Sequence, residues 1–225
     1  MSRTQRELKA LRQQQREEAA ARQRARERRN LYIISGVLGT AALAILIVAL
    51  ALNHAAQVTS QNRLTFQPVS TTQGQPVADE GRTHVDPSTS PTYNSYPPAS
   101  GPHYSATGIA PVPWQTIATS SAPLVEGQYI HNLEHGGIAI LYNCPTGADC
   151  TTLQNSLENY VRNLAPAEPA FNEVKVVLTP YSRGMTTHKV ALVAWDYIEF
   201  LDVYDQAAIT QFYENHADKG PENIA

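Results

Sequence analysis

The sequence predicts an α+β protein with a single N-terminal transmembrane helix followed by one small, mixed-sheet extracytoplasmic domain. Three observations lead to this fold class. An uncharged run of 22 residues, from Leu31 to Leu52, follows a strongly basic arm. A segment rich in Gln, Thr, Ser and Pro comes next. The remaining chain alternates apolar runs of strand length with amphipathic stretches of helix length.

The apolar run is long enough to cross a bilayer. At about 1.5 Å per residue it forms a helix of roughly 33 Å, and the hydrocarbon core is about 30 Å thick. A cleavable signal is disfavoured because the preceding arm has 30 residues and the run is about twice as long as the apolar region of a signal peptide. We therefore predict an uncleaved transmembrane helix over 31–53 in the cell membrane, with the lipid bilayer as its partner.

Charge predicts the orientation. The arm, residues 1–30, carries ten Lys and Arg against four Glu, and short basic flanks stay on the cytoplasmic side. The N-terminus is therefore expected in the cytoplasm and the C-terminal domain outside it. Residues 31–225 carry seven basic against 16 acidic side chains, which argues against nucleic-acid binding by the exported part. A nucleic-acid or protein partner of the basic arm stays open as an alternative, and the sequence does not identify a protein partner.

Residues 54–82 read as a flexible linker between the membrane helix and the domain. Their apolar surface is too small to offset the entropy lost on ordering. The folded domain is expected over 83–225, a length typical of one domain. Its first third, Thr83 to Pro123, is crowded with Pro and Gly but interleaved with Tyr and Trp, so we expect an ordered extended loop.

Apolar periodicity predicts the remaining elements of the domain in the order two strands, helix, two strands, helix. Asp202 or Asp205 is the expected N-cap of the last helix. The expected strands are Gln128–His131, Ile138–Tyr142, Val174–Thr179 and His188–Asp196, and the expected helices are Thr151–Leu164 and Asp205–Asn215.

Cys144 and Cys150 are the two cysteines of the chain. On the oxidising side of a membrane, such a pair is expected to form a disulfide that closes a small loop. Free thiols and a metal or redox role remain as alternatives. The five-residue spacing matches neither a Cys-x-x-Cys redox motif nor a zinc ribbon.

The densest group of histidines is Ile130-His131-Asn132-Leu133-Glu134-His135-Gly136-Gly137. On a helical turn His131 and His135 share a face, about 5–6 Å apart, and can share a metal ion. In a strand they would be roughly 13 Å apart, too far for one ion. A metal site therefore requires a turn here, and Gly136 and Gly137 supply its natural end.

The same segment matches the H-x-x-E-H pattern of inverted zinc peptidases, in which both histidines bind zinc and the glutamate polarises water. Those enzymes carry the pattern within a long helix. Here two glycines and strand-like runs flank His131–His135. We therefore regard a peptidase as a minor alternative.

Taken together, four segments resemble the bacterial domain of unknown function DUF3105. They are Tyr96–Tyr104, His131–Gly137, Ala194–Trp195 and Lys219–Glu222. The resemblance runs from about Thr83 to Glu222 and implies a basic arm, a single span and an exported domain. It implies no activity.

The resemblance also narrows the set of candidate site residues. The histidines that fall in motif segments of the family are His84, His103, His131 and His135. It does not extend to Cys144, Cys150, Met185 or His188.

Two functions follow as hypotheses, and whether the protein is an enzyme stays open. In the first, His84, His103, His131 and His135 bind copper or zinc. Met185 or Glu134 would be a further ligand, and a thioether would favour Cu(I). In the second, the histidines are satisfied hydrogen-bonding groups in a non-catalytic cell-surface binding or assembly module. Metal binding predicts that at least three of the imidazoles share a common point within roughly 4–5 Å.

Overall fold

The structure is a computed structural model that describes residues 22–24, 26, 40–52, 62–69, 71–144, 147–222 and 224. The chain divides into two units, Met1–Val58 and Thr59–Ala225. In the first unit the described residues are helical and exposed. Among described residues, no helix is both long and apolar enough to span a membrane. Most of the predicted arm, and residues 31–39 and 53 of the predicted span, lie outside the described residues.

The second unit contains short strands and three helices that we label in chain order within the described residues. They are β1 (Gln75–Pro76), β2 (His84–Val85), β3 (His103–Tyr104), α1 (Glu126–Glu134), β4 (Ile138–Tyr142), α2 (Ala148–Asn159), β5 (Val176–Pro180), β6 (Val190–Ala194), β7 (Tyr197–Leu201) and α3 (Gln206–His216). A π-helical turn, Tyr160–Leu164, continues α2.

The central sheet has five strands in the order β1-β7-β6-β4-β5. The pair β4 and β5 is parallel, joined through α2, and the other neighbours are antiparallel. The short strands β2 and β3 form a separate parallel pair. The predicted α+β class with a mixed sheet is confirmed.

The strand β4 lies at the centre of the core and is buried along its whole length. Side chains alternate between the two faces of a strand. Ile138 and Ile140 therefore pack with α2 and α3, whereas Ala139 and Leu141 pack with α1 and with residues 83–123, which we call the Pro-rich loop. A strand covered on both faces reads as a continuous apolar run, which is why the sequence identified it.

One predicted strand is wrong. Residues Gln128–His131 lie in α1, because Tyr129, Ile130 and Leu133 all reach the core from one side of a helix. Four residues are too few for periodicity to separate a strand from a helix.

The prediction of a single strand over His188–Asp196 missed a hairpin. The strand β6 ends at Ala194 and β7 returns antiparallel to it from Tyr197. The two-residue turn contains Asp196 with a φ of 61°. Aspartate adopts this left-handed conformation more readily than most residues, but Trp195-Asp196 is not a common hairpin signal.

Part of the expected linker packs against the domain. The backbone N–H of Leu64 donates to the carbonyl of Leu164 over 2.8 Å. The side chain of Arg63 donates to the carbonyls of Ala165 and Arg162. Further along, β1 extends the sheet. The described residues between 62 and 82 therefore belong to the folded unit rather than to a flexible linker.

The cysteines join the end of β4 to the first turn of α2. Cys144 and Cys150 form a disulfide, with their Cα atoms 5.4 Å apart. Cys144 packs against the core cluster on the α2 side of the sheet.

Candidate metal centre

The Pro-rich loop delivers two histidines to one place. In the β2–β3 pair, His84 lies directly beside His103, and their rings are 4.8 Å apart between centroids. The backbone N–H of His103 donates to the carbonyl of Thr83 and the N–H of Gly101 to that of Gly81. These bonds tie two distant parts of the loop together.

The helix α1 delivers the second half of the centre. Residues three or four apart are neighbours on a helix, so Glu134 and His135 both lie beside His131. The helix approaches β3 closely at Gly127, where a Cβ atom would come within 2.9 Å of the Tyr104 ring. A residue without a side chain is therefore needed for the two halves to meet.

Four side chains converge at this contact: His84, His103, His131 and Glu134. Each offers an atom that can bind a metal, and these atoms all lie within 4.8 Å of one another. The Oε2 atom of Glu134 is 2.9 Å from Nε2 of His103 and 3.2 Å from Nε2 of His84. Three of the four residues are buried, whereas the His84 side chain is 47% exposed. The cluster is thus enclosed except on the His84 side.

Backbone carbonyls contact the Nδ1 atoms of two histidines. The Nδ1 atom of His103 contacts the carbonyl of Gly101 at 2.8 Å, and Nδ1 of His131 contacts the carbonyl of Tyr104. A neutral imidazole that donates from Nδ1 has an unprotonated Nε2. This is the usual arrangement of a metal-binding histidine and its outer partner.

For His103 this arrangement has a consequence. Its Nε2 faces the Glu134 carboxylate, which only accepts hydrogen bonds when it is ionised. Two acceptors 2.9 Å apart in a buried site require positive charge between them. A proton on the imidazole or a metal ion supplies it.

Burial and hydrogen bonding set the charge states of the centre. Burial is the main cause that lowers the pKa of His131, and also that of His135. Burial alone would raise the pKa of Glu134, but the hydrogen bond from His84 and the charge and hydrogen bond of His103 outweigh it, so this pKa is lowered. Neutral imidazoles and an ionised carboxylate are the forms that bind metals.

His135 lies beside the four-residue group. Its Nε2 is 3.1 Å from Nε2 of His131 and 3.7 Å from Oε2 of Glu222. Together with Glu134 and Glu222 it makes a second group whose candidate ligand atoms lie within 4.8 Å of one another. Glu134 belongs to both groups.

The C-terminal segment Lys219–Glu222 covers the end of α1. The backbone N–H of Glu222 donates to the carbonyl of Glu134 over 2.9 Å, and that of Asp218 to the carbonyl of Gly136 over 3.0 Å. A Cβ atom at Gly220 would lie 2.3 Å from the Glu134 carbonyl oxygen. The close approach of Gly220 to the end of α1 therefore fixes the position of Glu222.

The structure brings three of the four predicted histidines into one group and places the fourth, His135, next to it. Of the residues considered beside them, Glu134 is within the group, Met185 is buried in the core cluster on the α1 face, and His188 pairs with Asp202 at 2.9 Å. Sequence reasoning did not select Glu222 as a site residue. The feature that could have indicated it is the Lys219–Glu222 motif, one of the four segments that resemble the family.

The glutamate of the H-x-x-E-H pattern does not have the surroundings of a peptidase glutamate. Glu134 contacts His84 and His103 and is itself a candidate ligand. The helix α1 also ends at Glu134 after nine residues, with His135 as its C-cap.

Comparison with protein families matches residues 84–225 to the family described as "Protein of unknown function (DUF3105)". No curated protein and no solved structure shows significant similarity to the chain. Every residue of both groups of candidate ligands lies within the matched region.

Proposed function

The chain belongs to the DUF3105 family of proteins of unknown function, and on that premise we propose a function from the chemistry of its own side chains. The protein binds a transition metal ion, zinc or copper, through His84, His103, His131 and Glu134. It presents this ion on the extracytoplasmic side of the membrane.

The observation that carries the proposal is the contact between His103 and Glu134. Both side chains are buried, and their facing atoms lie 2.9 Å apart. Tetrahedral ligands at about 2.0–2.1 Å from a metal ion are separated by roughly 3.4 Å. The 2.9 Å contact is shorter than this separation and the group as a whole spans up to 4.8 Å, so an ion would fit after small movements of the side chains.

The ligand types favour particular metals. Imidazole suits zinc and copper, and the carboxylate suits a divalent ion. The soft ligand that would favour Cu(I) is Met185, which packs among apolar side chains. We therefore propose Zn²⁺ or Cu²⁺. Because His84 is half-exposed, the ion is bound and released from that side.

A proton in place of the ion defines the second candidate function. A positively charged His103 paired with Glu134 would tie the Pro-rich loop to α1, and the domain would be a surface binding module. The carbonyl contacts of His103 and His131 favour this alternative as well, because they satisfy the rings without a metal. The two candidates differ in metal content.

Metal content is measured by mass spectrometry on the full chain, purified in detergent without a His tag. We expect near-stoichiometric zinc or copper in the wild type and in His188→Ala, a matched control outside the centre. We expect little metal in His103→Ala. Absence of metal from the wild type after supply of both ions would overturn the metal function and leave the binding module.

The proposed location rests on the uncharged run 31–52, the basic arm and the disulfide. Disulfides persist in oxidising compartments outside the cytoplasm. Protease added to intact cells or spheroplasts should remove a C-terminal epitope and spare an N-terminal one. The opposite pattern, or recovery of the protein in the soluble fraction instead of the membrane fraction, would overturn the proposed location.

A further inference from the structure

A second polar cluster surrounds Lys175, which directly precedes β5. Its side chain is fully buried, and its Nζ atom lies 2.9 Å from Oδ1 of Asp218. Nζ also donates to the carbonyl of Ile224 over 2.7 Å and contacts that of His135 at 3.4 Å. The ring of Phe171 lies 4.2 Å from Nζ. An amine and a carboxyl group thus meet in an aromatic, water-poor environment.

A third group, Glu168, completes the cluster. It is fully buried and accepts backbone N–H groups from Ala170, Phe171 and Glu173. The side chain of Asp218 is close enough to affect the pKa of Glu168. Two neighbouring buried carboxyl groups favour a state in which one of them holds a proton.

The charge states place that proton. Burial is the main cause that raises the pKa of Asp218, and the contact with Glu168 raises it further. Burial would raise the pKa of Glu168 too, but hydrogen bonds from Asp218 and from backbone amides outweigh it, so this pKa is lowered. The three backbone N–H groups that donate to Glu168 favour its carboxylate form, and the raised pKa of Asp218 agrees with a proton on Asp218.

We propose that Lys175 and Asp218 condense to form an intramolecular isopeptide bond, with Glu168 as the proton acceptor. A carboxylic acid is a far better electrophile than a carboxylate, and an amine is a nucleophile once it has lost its proton. Lys175 and Asp218, between which the bond would form, are in contact at 2.9 Å, and the fold holds them there. The proposal does not depend on the metal function.

The reaction balances without any further reagent. The ammonium group of Lys175 gives one proton to Glu168 through the shared carboxyl pair. The nitrogen lone pair attacks Cγ of Asp218, the Nζ–Cγ bond forms, and a Cγ–O bond breaks. The oxygen leaves as water with its own proton and one from nitrogen. An amide and a protonated Glu168 remain, and no electron is gained or lost.

A buried ion pair is the alternative. Taking Lys175 and a carboxylate out of water costs free energy that their attraction only partly returns. The amide avoids this cost because it carries no charge. It would also join the strand β5 covalently to the segment that follows α3.

Intact-mass spectrometry on the reduced full chain decides between them. We expect the wild type to be one water molecule lighter than its sequence mass. Trypsin should leave Asn163–Arg183 linked to Val190–Lys219, with Lys175 uncleaved. Wild type at full sequence mass, with cleavage after Lys175, would overturn the proposal.

Variants test the roles of the three residues. Lys175→Met should show the full mass, whereas Lys189→Met, which alters a lysine outside the cluster, should still lose water. Glu168→Gln should show the full mass while keeping its circular dichroism spectrum. Loss of water in folded Glu168→Gln would overturn the role of Glu168. If either cluster variant fails to fold, the wild-type mass and peptide map still decide whether the bond exists.

Discussion

The Nε2 atoms of His131 and His135 lie 3.1 Å apart, one helical turn from each other. Only one of the two nitrogens can carry a proton across this contact. Because Nδ1 of His131 is directed at the Tyr104 carbonyl, its Nε2 is the acceptor and His135 is the donor. This hydrogen bond occupies the lone pair that an ion would use, so His135 must turn away when His131 binds a metal. The two histidines look equivalent in the sequence but have unequal roles.

Substitution of the two histidines should separate those roles. We expect His135→Ala not to lower metal affinity, because it removes the donor that competes with the ion for Nε2 of His131. We expect His131→Ala to lower the affinity, because it removes a candidate ligand. Competition titration against a chromophoric chelator measures both, with His188→Ala as the control. Equal losses would mean that both histidines bind the ion directly.

The stability of the metal-free protein should fall in mild acid, and His216 should contribute to the fall. Burial is the main cause that lowers its pKa below the ordinary 6.5, although Nε2 also donates to the Gln73 carbonyl over 2.7 Å. Below that value the unfolded chain takes up a proton that the folded chain resists. The contribution is therefore absent above about pH 6.5 and destabilises the fold as pH falls below it.

Urea unfolding with a chelator, at about pH 7.5 and about pH 5.5, tests this contribution. The free energy of unfolding should fall less between the two pH values in His216→Gln than in the wild type. Glutamine keeps a donor for Gln73 but does not titrate. His131 and His135 titrate in both proteins, so the difference between the proteins isolates His216. An equal decrease in the free energy of unfolding in the wild type and in His216→Gln would contradict the prediction.

Gly220→Ala should destabilise the domain by about 1–3 kcal/mol through overpacking. The new methyl group would be placed 2.3 Å from the carbonyl oxygen of Glu134 and 2.4 Å from the nitrogen of Gly136, so the C-terminal segment must move. Urea unfolding gives the change. The exposed neighbour, in Lys219→Ala, should shift stability by no more than about 0.5 kcal/mol. If Gly220→Ala were as stable as this control, the segment Lys219–Glu222 would not be tightly packed against α1.

Replacing both cysteines by serine should cost about 2 kcal/mol in the free energy of unfolding, because the disulfide closes a short loop. Metal content should not change, since Cys144 packs on the α2 side of the sheet and the candidate centre lies on the α1 side. Denaturant unfolding and metal analysis of the same sample measure both. Loss of the metal together with the disulfide would contradict this separation.

The elements that the sequence predicted well are those with a local signal. The run Ile138–Tyr142 is continuously apolar because both faces are covered, and Asp205 caps α3 as its position before the helix suggests. The failures lie where tertiary contacts decide. The helix α1 begins after Val125, whose side chain has no oxygen to cap it. The sequence therefore lacks the N-cap residue that would have indicated where this helix begins.

The candidate centre was only partly predictable. The spacing of His131 and His135 pointed to a shared site, but it could not show that His135 donates a hydrogen bond to its neighbour. The position of His84 beside His103 depends on a two-residue strand pair within an irregular loop. Such pairing has no periodicity to detect. The resemblance to a family, rather than any pattern, selected these two histidines.

His84, near the start of the domain, and Glu222, near the end of the chain, both contact Glu134. The surroundings of Glu134 are therefore complete only when residues from His84 to Glu222 have folded together. A chain in which Lys219–Glu222 has not folded onto α1 would lack one of these contacts. Under the proposed function, metal occupancy would then distinguish molecules in which this segment is folded from those in which it is not.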